Sequence, residues 1–224
     1  MELKSQASGY FLSEVATYKL LEDYSFPIAP YRVINQINEA KINGLKYPLV
    51  LKVVSPDIPH KSDLGGIKLN ISSREEVISG IEEITTSLKK QEPEAKIEGF
   101  LLQEMVQNGH QMMLGLKQDP IFGTLLMVGM GGIFVELLKD VSWRLAPIDL
   151  NEAKRMLRQL KAYPILEGIR GQKKSDIDGL AELLVKLGQF GLENPQITEL
   201  DINPVFVRED DLLIADALAL IQGE

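Results

Sequence analysis

The stretch "SPDIPHKSDLGG", Ser55 to Gly66, holds one of the chain's two histidines. Pro56 and Pro59 precede His60 and Gly65-Gly66 follow it, so the loop is stiff at one end and hinged at the other. An imidazole there is either a satisfied or surface group, or a nucleophile carried to a moving partner. His110, in "QNGHQ", has no such surroundings and reads as part of a turn between strands. A second set of residues is acidic. In "ITELDINPVFVREDDLLIADA", Glu199, Asp201 and Asn203 recur at every second position, which on a strand puts them on one face. These oxygens suit a hard cation such as Mg²⁺, or form an ordinary solvated strand face. If Arg208 to Asp211 make a four-residue hairpin loop, Val207 faces Leu212 and Asn203 stands opposite Asp216. Pro204 interrupts the ladder directly after Asn203, where a ligand cluster needs room.

A third set is basic. Lys52 lies inside the apolar run "YPLVLKVVS" and Lys68 inside "GGIKLNI". Each is either the exposed face of its strand or a point charge for a nucleotide phosphate. Arg144, in "DVSWRLAP", offers a bidentate fork for the same purpose. The segment "MVGMGGIFVELLKD" runs from apolar residues into Gly129, Gly131 and Gly132. Glycines there make a tight turn or expose amides to phosphate. The segment is neither a dinucleotide fingerprint, since Phe134 replaces the third glycine, nor a Walker A loop, since no G-K-[ST] follows.

The elements that must position these groups are legible as patterns. Helical periodicity appears at Phe11, Val15, Tyr18 and Leu21, and again from Ser73 to Leu88, where Ser72–Glu75 and Ser73–Glu76 both match a capping box. A third helix is expected after Asp149, burying Ala153, Met156, Leu157 and Leu160, and a fourth after Asp176. Strands are expected at "PLVLKVV", "IKLNI", "GFLLQEMV", "QMMLGLK", "TLLMVGM", "ITELDI" and "DLLIADA", with "SFPIAP" a turn or extended link. Interspersed strands and helices indicate an α/β or α+β class.

With 224 residues the chain has room for one large domain or two packed lobes. Its net charge of -8 and lack of a basic run argue against nucleic-acid binding. The absence of cysteine excludes disulfides, zinc thiolates, iron–sulfur ligation and a cysteine nucleophile. No apolar run reaches the roughly 20 residues of a membrane span, no signal peptide is evident, and a cytoplasmic chain is expected.

Taken together, "YPLVLKVVSPDIPHKSDLGGIKLNI", "GFLLQEMV", "KQDPIFGTLLMVGMGGIFVELLKDVSWRLAPI", "LKAYPILEGIRG" and "ITELDINPVFV" resemble the β subunit of ADP-forming acetyl-CoA synthetases (acetate–CoA ligases), over almost the whole chain. The resemblance implies an α+β ATP-grasp fold with two α+β lobes clamping a nucleotide. The lobes are expected at about 28–103 and 104–224, after an N-terminal helix in 1–27. It implies that Lys52 and Lys68 approach the ATP phosphates, alongside the candidates Gly131, Gly132 and Arg144. It also implies that Gln103, Glu104, Met105 and Val106 form the adenine hinge. Asp201, Asn203 and Asp216 match the Mg²⁺ positions, and His60 matches a transiently phosphorylated histidine. The implied partner is a CoA-binding α subunit, in an α₂β₂ assembly, whose own phosphohistidine passes its group through His60 to ADP. One position departs from the family: Gln111 stands where a glutamate is usual, which leaves open a non-catalytic nucleotide sensor. A succinate-type ligase subunit is the other alternative, since the acyl pocket lies on the partner.

Overall fold

The structure is a computed structural model; it describes residues 9–35, 44–58, 61–132, 140–169 and 173–223. Among these, two antiparallel sheets each carry their own helices. The smaller has four strands, β2 (Tyr31–Ile34), β3 (Leu49–Val54), β4 (Ile67–Ile71) and β5 (Gly99–Glu104), in the order β2-β5-β3-β4. Every residue of β3 is buried, which explains its unbroken apolar run. Helix α2 (Arg74–Gln91) covers one face with Val77, Ile81, Ile84 and Leu88, against Leu49, Leu51, Val53 and Phe100. Of the two candidate capping boxes the structure uses the second. The Ser73 hydroxyl accepts from Glu76 N at 3.1 Å, and the Glu76 carboxylate accepts from Ser72 N at 2.7 Å.

The larger sheet runs β1-β11-β9-β6-β7-β8, with β10 also paired to β9. Its strands are β1 (Tyr10–Phe11), β6 (His110–Asp119), β7 (Gly123–Met130), β8 (Val141–Leu145), β9 (Ile197–Val207), β10 (Leu212–Ile214) and β11 (Ala217–Ile221). Helices α1 (Glu14–Asp23), α3 (Leu150–Arg158), the single turn α4 (Tyr163–Leu166) and α5 (Ile177–Glu193) contribute to its core. Asp149 caps α3 and Asp176 caps α5 through their side chains, as the sequence indicated. Gly191 lets α5 lie close on the sheet, where a Cβ would meet Leu116 Cδ1 at 2.1 Å.

Three expectations need correction. Phe11 is not helical; it belongs to β1, because its backbone pairs with Leu220 of β11 and Ser13 then caps α1. Strands β2 and β8 lie outside the expected set: β2 carries no clean alternation, and β8 alternates but with its apolar residues on the more open side. The run "DLLIADA" is not one strand. It breaks at Ala215-Asp216, between β10 and β11, because β9 carries two residues, Asn203 and Pro204, where β6 has only Met113. The link "SFPIAP" is extended beside β10, with Ala29 N donating to Ile214 O at 2.9 Å and Ile214 N to Pro27 O at 2.7 Å.

Candidate functional site

Lys52 occupies the central strand of the small sheet and is only 4% exposed. A buried ammonium needs counter-charge and acceptors, and two elements outside its sheet supply them. Its Nζ donates to Ala215 O at 2.5 Å, on the break between β10 and β11, and to Glu14 Oε1 at 2.6 Å, in the first turn of α1. Glu14 Oε2 lies 2.9 Å from Lys61 Nζ, an ionic contact without the geometry of a directed hydrogen bond. The Tyr18 hydroxyl, one turn along α1, donates to Glu14 Oε1 at 2.7 Å and accepts from Gln103 Nε2 at 3.2 Å. Burial by itself would raise the Glu14 carboxyl, but Lys52 and then Lys61 outweigh it and hold it down at about 2. Burial likewise works against the Lys61 charge, and Glu14 more than offsets it, so its pKa is raised. Tyr18 is pushed well up, by burial first and by the Glu14 charge second.

The acidic set converges as the hairpin count predicts. Val207 pairs with Leu212, and Asn203 N donates to Asp216 O at 3.1 Å while Ala215 N donates to Pro204 O at 3.0 Å. Asp201 lies on the same strand two residues before Asn203, opposite Gly115 of β6. Asp201 is open to solvent as a residue, yet partial burial of its carboxyl, followed by the charge of Asp216, pushes it up to about 6. The Asp216 carboxyl is raised mainly by burial, with Lys52 opposing the rise. A carboxylate raised by burial and by a second carboxylate, on a strand that also carries Asn203, belongs to an oxygen donor set that a divalent cation would relieve, so these residues fit Mg²⁺. Among the described residues, no three His, Cys, Asp or Glu side chains gather to hold a metal, so Asn203 has to complete this set. Glu199 is engaged elsewhere, with Lys117 at 2.5 Å.

Two basic candidates are not brought to this place. Lys68 pairs with Leu51, not Lys52, so its side chain leaves the small sheet on the α2 face and meets Glu83 at 2.5 Å. Arg144 lies in the cross-strand row Leu200–Leu116–Leu126–Arg144, which faces the helices, and is held by Glu152 and Gln159. Asp201 belongs to the opposite row, with Gly115, Met127 and Trp143. Of the proposed hinge, Gln103 is buried and hydrogen-bonded to Tyr18 and Ala29. The amides of Glu104 and Met105 donate to Pro30 O and Pro48 O, so they are already engaged; Val106 lies just beyond the strand. Gly131 and Gly132 pass close to Gln111: Gly131 N donates to Gln111 O at 2.6 Å, and Gly132 has φ +67°. Gln111 shares the Asp201 side of the sheet, where alternate β6 residues are open. His60 lies outside the described residues.

Glu14, Tyr18 and Lys61 are the residues that sequence reasoning missed. The buried positions of α1 are Glu14, Thr17, Tyr18 and Leu21, so a carboxylate opens the apolar stripe. A charge on the buried stripe of a helix was the available signal.

Comparison with known proteins gives a consistent picture. A family described as the ATP-grasp domain matches residues 4–221. The chain is 42% identical over 220 residues to the β subunit of acetate–CoA ligase [ADP-forming] I of Pyrococcus furiosus, covering 97% of this chain and 95% of that one. It is 44% identical over 207 residues to acetate–CoA ligase [ADP-forming] I of Archaeoglobus fulgidus, covering 92% of this chain but only 30% of that longer protein. Acetyl-coenzyme A synthetase 1 of Candidatus Korarchaeum cryptofilum, solved with coenzyme A and Ca-AMPCP, superposes with a TM-score of 0.91 at 38% identity, over 95% of this chain and 93% of that one. The same protein with coenzyme A and Mg-AMPPCP has its phosphohistidine segment pointing towards the nucleotide site. It gives a TM-score of 0.79 at 37% identity, covering 94% and 92%.

Proposed function

Because this chain belongs to the ATP-grasp family, among the β subunits of ADP-forming acetate–CoA ligases, we propose that it is the nucleotide-side subunit of an ADP-forming acyl-CoA synthetase. It makes ATP from acyl-CoA, ADP and phosphate together with a CoA-binding α subunit, in an α₂β₂ assembly in the cytoplasm. The observation that carries this reading is the meeting of Lys52, from the small sheet, with Ala215, next to Asp216, on the large one. A phosphate lysine and a metal carboxylate from two lobes adjoin there, as nucleotide phosphotransfer requires.

In the proposed reaction an imidazole nitrogen of His60 attacks the phosphorus carried by a histidine of the α subunit. A P–N bond forms to His60 as the P–N bond to the donor breaks. A β-phosphate oxygen of ADP then attacks, forming the P–O bond of ATP and releasing the His60 nitrogen with its electron pair. Lys52 and Lys61 offset the charge that spreads over the phosphoryl oxygens in flight. Asp201, Asn203 and Asp216 would hold Mg²⁺, which when bound neutralises phosphate charge. Val106, beyond the end of β5, is the hinge position best placed to meet adenine. No helix among the described residues is long and apolar enough to cross a membrane.

The pure chain incubated with Mg²⁺ and ATP labelled at the γ-phosphate is expected to take up acid-labile, base-stable label. His60→Ala is expected to abolish it. Label that survives this substitution overturns the assignment of His60. A chain that binds nucleotide but takes up no label and supports no turnover with an α subunit is a sensor, not a phosphotransferase.

A further inference from the structure

Glu14 is the most deeply buried charged residue among those described, at 2% exposure. It also faces Asp216, whose carboxyl is raised by burial first and, against the pull of Lys52, by the Glu14 charge. The two oxygens of Glu14 divide between two cations, Oε1 taking Lys52 and Oε2 taking Lys61. A lysine side chain is a flexible stem ending in a point charge, and two such charges drawn into one enclosed place repel. A carboxylate between them removes the repulsion and fixes both ends. Glu14 is itself fixed: Tyr18 donates to it, Gln103 donates to Tyr18, and the Gln103 amide also reaches Ala29 O at 3.4 Å. The chain of contacts therefore runs from Gln103, near the end of strand β5, through α1, to two ammonium groups. One of these touches the residue before Asp216, and the other follows His60 in sequence.

We propose that Glu14 is a positioning residue of the phosphoryl-transfer site, holding Lys52 and Lys61 side by side as a cationic pair for the phosphoryl group in flight, with Tyr18 as its brace. This inference rests on the phosphotransfer function proposed above. Glu14 touches no reacting atom; it acts through the lysines. Preorganised charges need no rearrangement at the moment of transfer, and small displacements of them are costly.

The test uses the full chain, Mg-ATP, and three measurements: nucleotide affinity by calorimetry, the single-turnover rate of label uptake, and the thermal midpoint. Glu14→Gln keeps the shape and removes the charge; it is expected to slow uptake about 100-fold while affinity changes far less. Tyr18→Phe removes one hydroxyl and is expected to slow uptake about tenfold, with affinity and thermal midpoint near those of the unaltered chain. In a Lys61→Met chain, Glu14→Gln is expected to cost less, because one of the two lysines it aligns is gone. If Glu14→Gln does not fold, Tyr18→Phe decides. Unchanged rates in the variants, or an equal loss of rate and affinity, overturn the inference alone. Absence of label on the unaltered chain overturns the functional reading and this inference with it.

Discussion

Lys52 and Lys68 are one register position apart on neighbouring antiparallel strands, and their side chains leave opposite faces of the small sheet. Lys52 enters the space shared with Glu14 and Ala215; Lys68 makes a partly exposed pair with Glu83. Exposed pairs of that kind contribute about 0–1 kcal/mol. Lys52→Met is therefore expected to reduce label uptake at least about 100-fold, the scale on which losing one preorganised charge is felt. Lys68→Met is expected to leave uptake and nucleotide affinity within about twofold. Parallel single-turnover assays of the two variants check this, and equal losses would contradict the placement of Lys68.

Glu14→Ala leaves two ammonium groups enclosed without their shared counter-ion. Breaking a buried pair by removing one partner costs about 3–5 kcal/mol. A urea unfolding midpoint displaced by that amount, with the slope unchanged, is the expected result.

Acid should act on the same carboxylate. Its pKa falls from 4.5 to about 2 on folding, so the linked stability is fully present above pH 4.5 and disappears as the pH approaches 2. The depression corresponds to roughly 3 kcal/mol. Unfolding free energy followed from pH 6 to pH 2 should fall less steeply below pH 4.5 in Glu14→Gln than in the unaltered chain.

Asp216→Asn keeps the hairpin but removes one of the two facing carboxylates. Nucleotide affinity without Mg²⁺ should change little, while the gain in affinity on adding Mg²⁺ should shrink about tenfold or more, as expected when a charged metal ligand is lost. Calorimetric titrations with and without the metal measure the difference.

Gly191→Ala tests the fit of α5 on the large sheet. The added methyl would fall 2.1 Å from Leu116 Cδ1 and 2.8 Å from Thr124 Cγ2, and Leu116 is itself buried. Overpacking of this kind costs about 1–3 kcal/mol. The thermal midpoint should drop while nucleotide affinity is retained.

Sequence reasoning worked where the determining contacts are local. Ser73, Asp149 and Asp176 cap helices three residues away, and Asn203 meets Asp216 across a hairpin whose loop length sets the register. It failed where a face depends on distant parity. Lys68 turns away from Lys52 because of how β3 meets β4 across a long loop and an irregular register. On β8 the alternation is inverted: Trp143 and Leu145 are 48% exposed, while Arg144 faces the helices, so apolar character pointed to the wrong side. Glu14 was hidden for the same reason. A first-turn acid looks like a partner for the helix dipole, and only the fold brings two lysines to it.

The placement of α1 has a consequence for how the molecule is made. Tyr10 and Phe11 pair with Ile221 and Leu220, Leu12 N donates to Ala219 O at 2.9 Å, and Tyr18 shares a core with Ala217 and Ala219. The first helix is thus docked by the last strand. During vectorial synthesis the strands of the small sheet and α2 emerge together, but Glu14 gains its seat only when residues near 221 have left the ribosome. The cationic pair is then assembled after the strands that carry its lysines, and a nascent chain would hold those lysines uncompensated and solvated until β11 arrives.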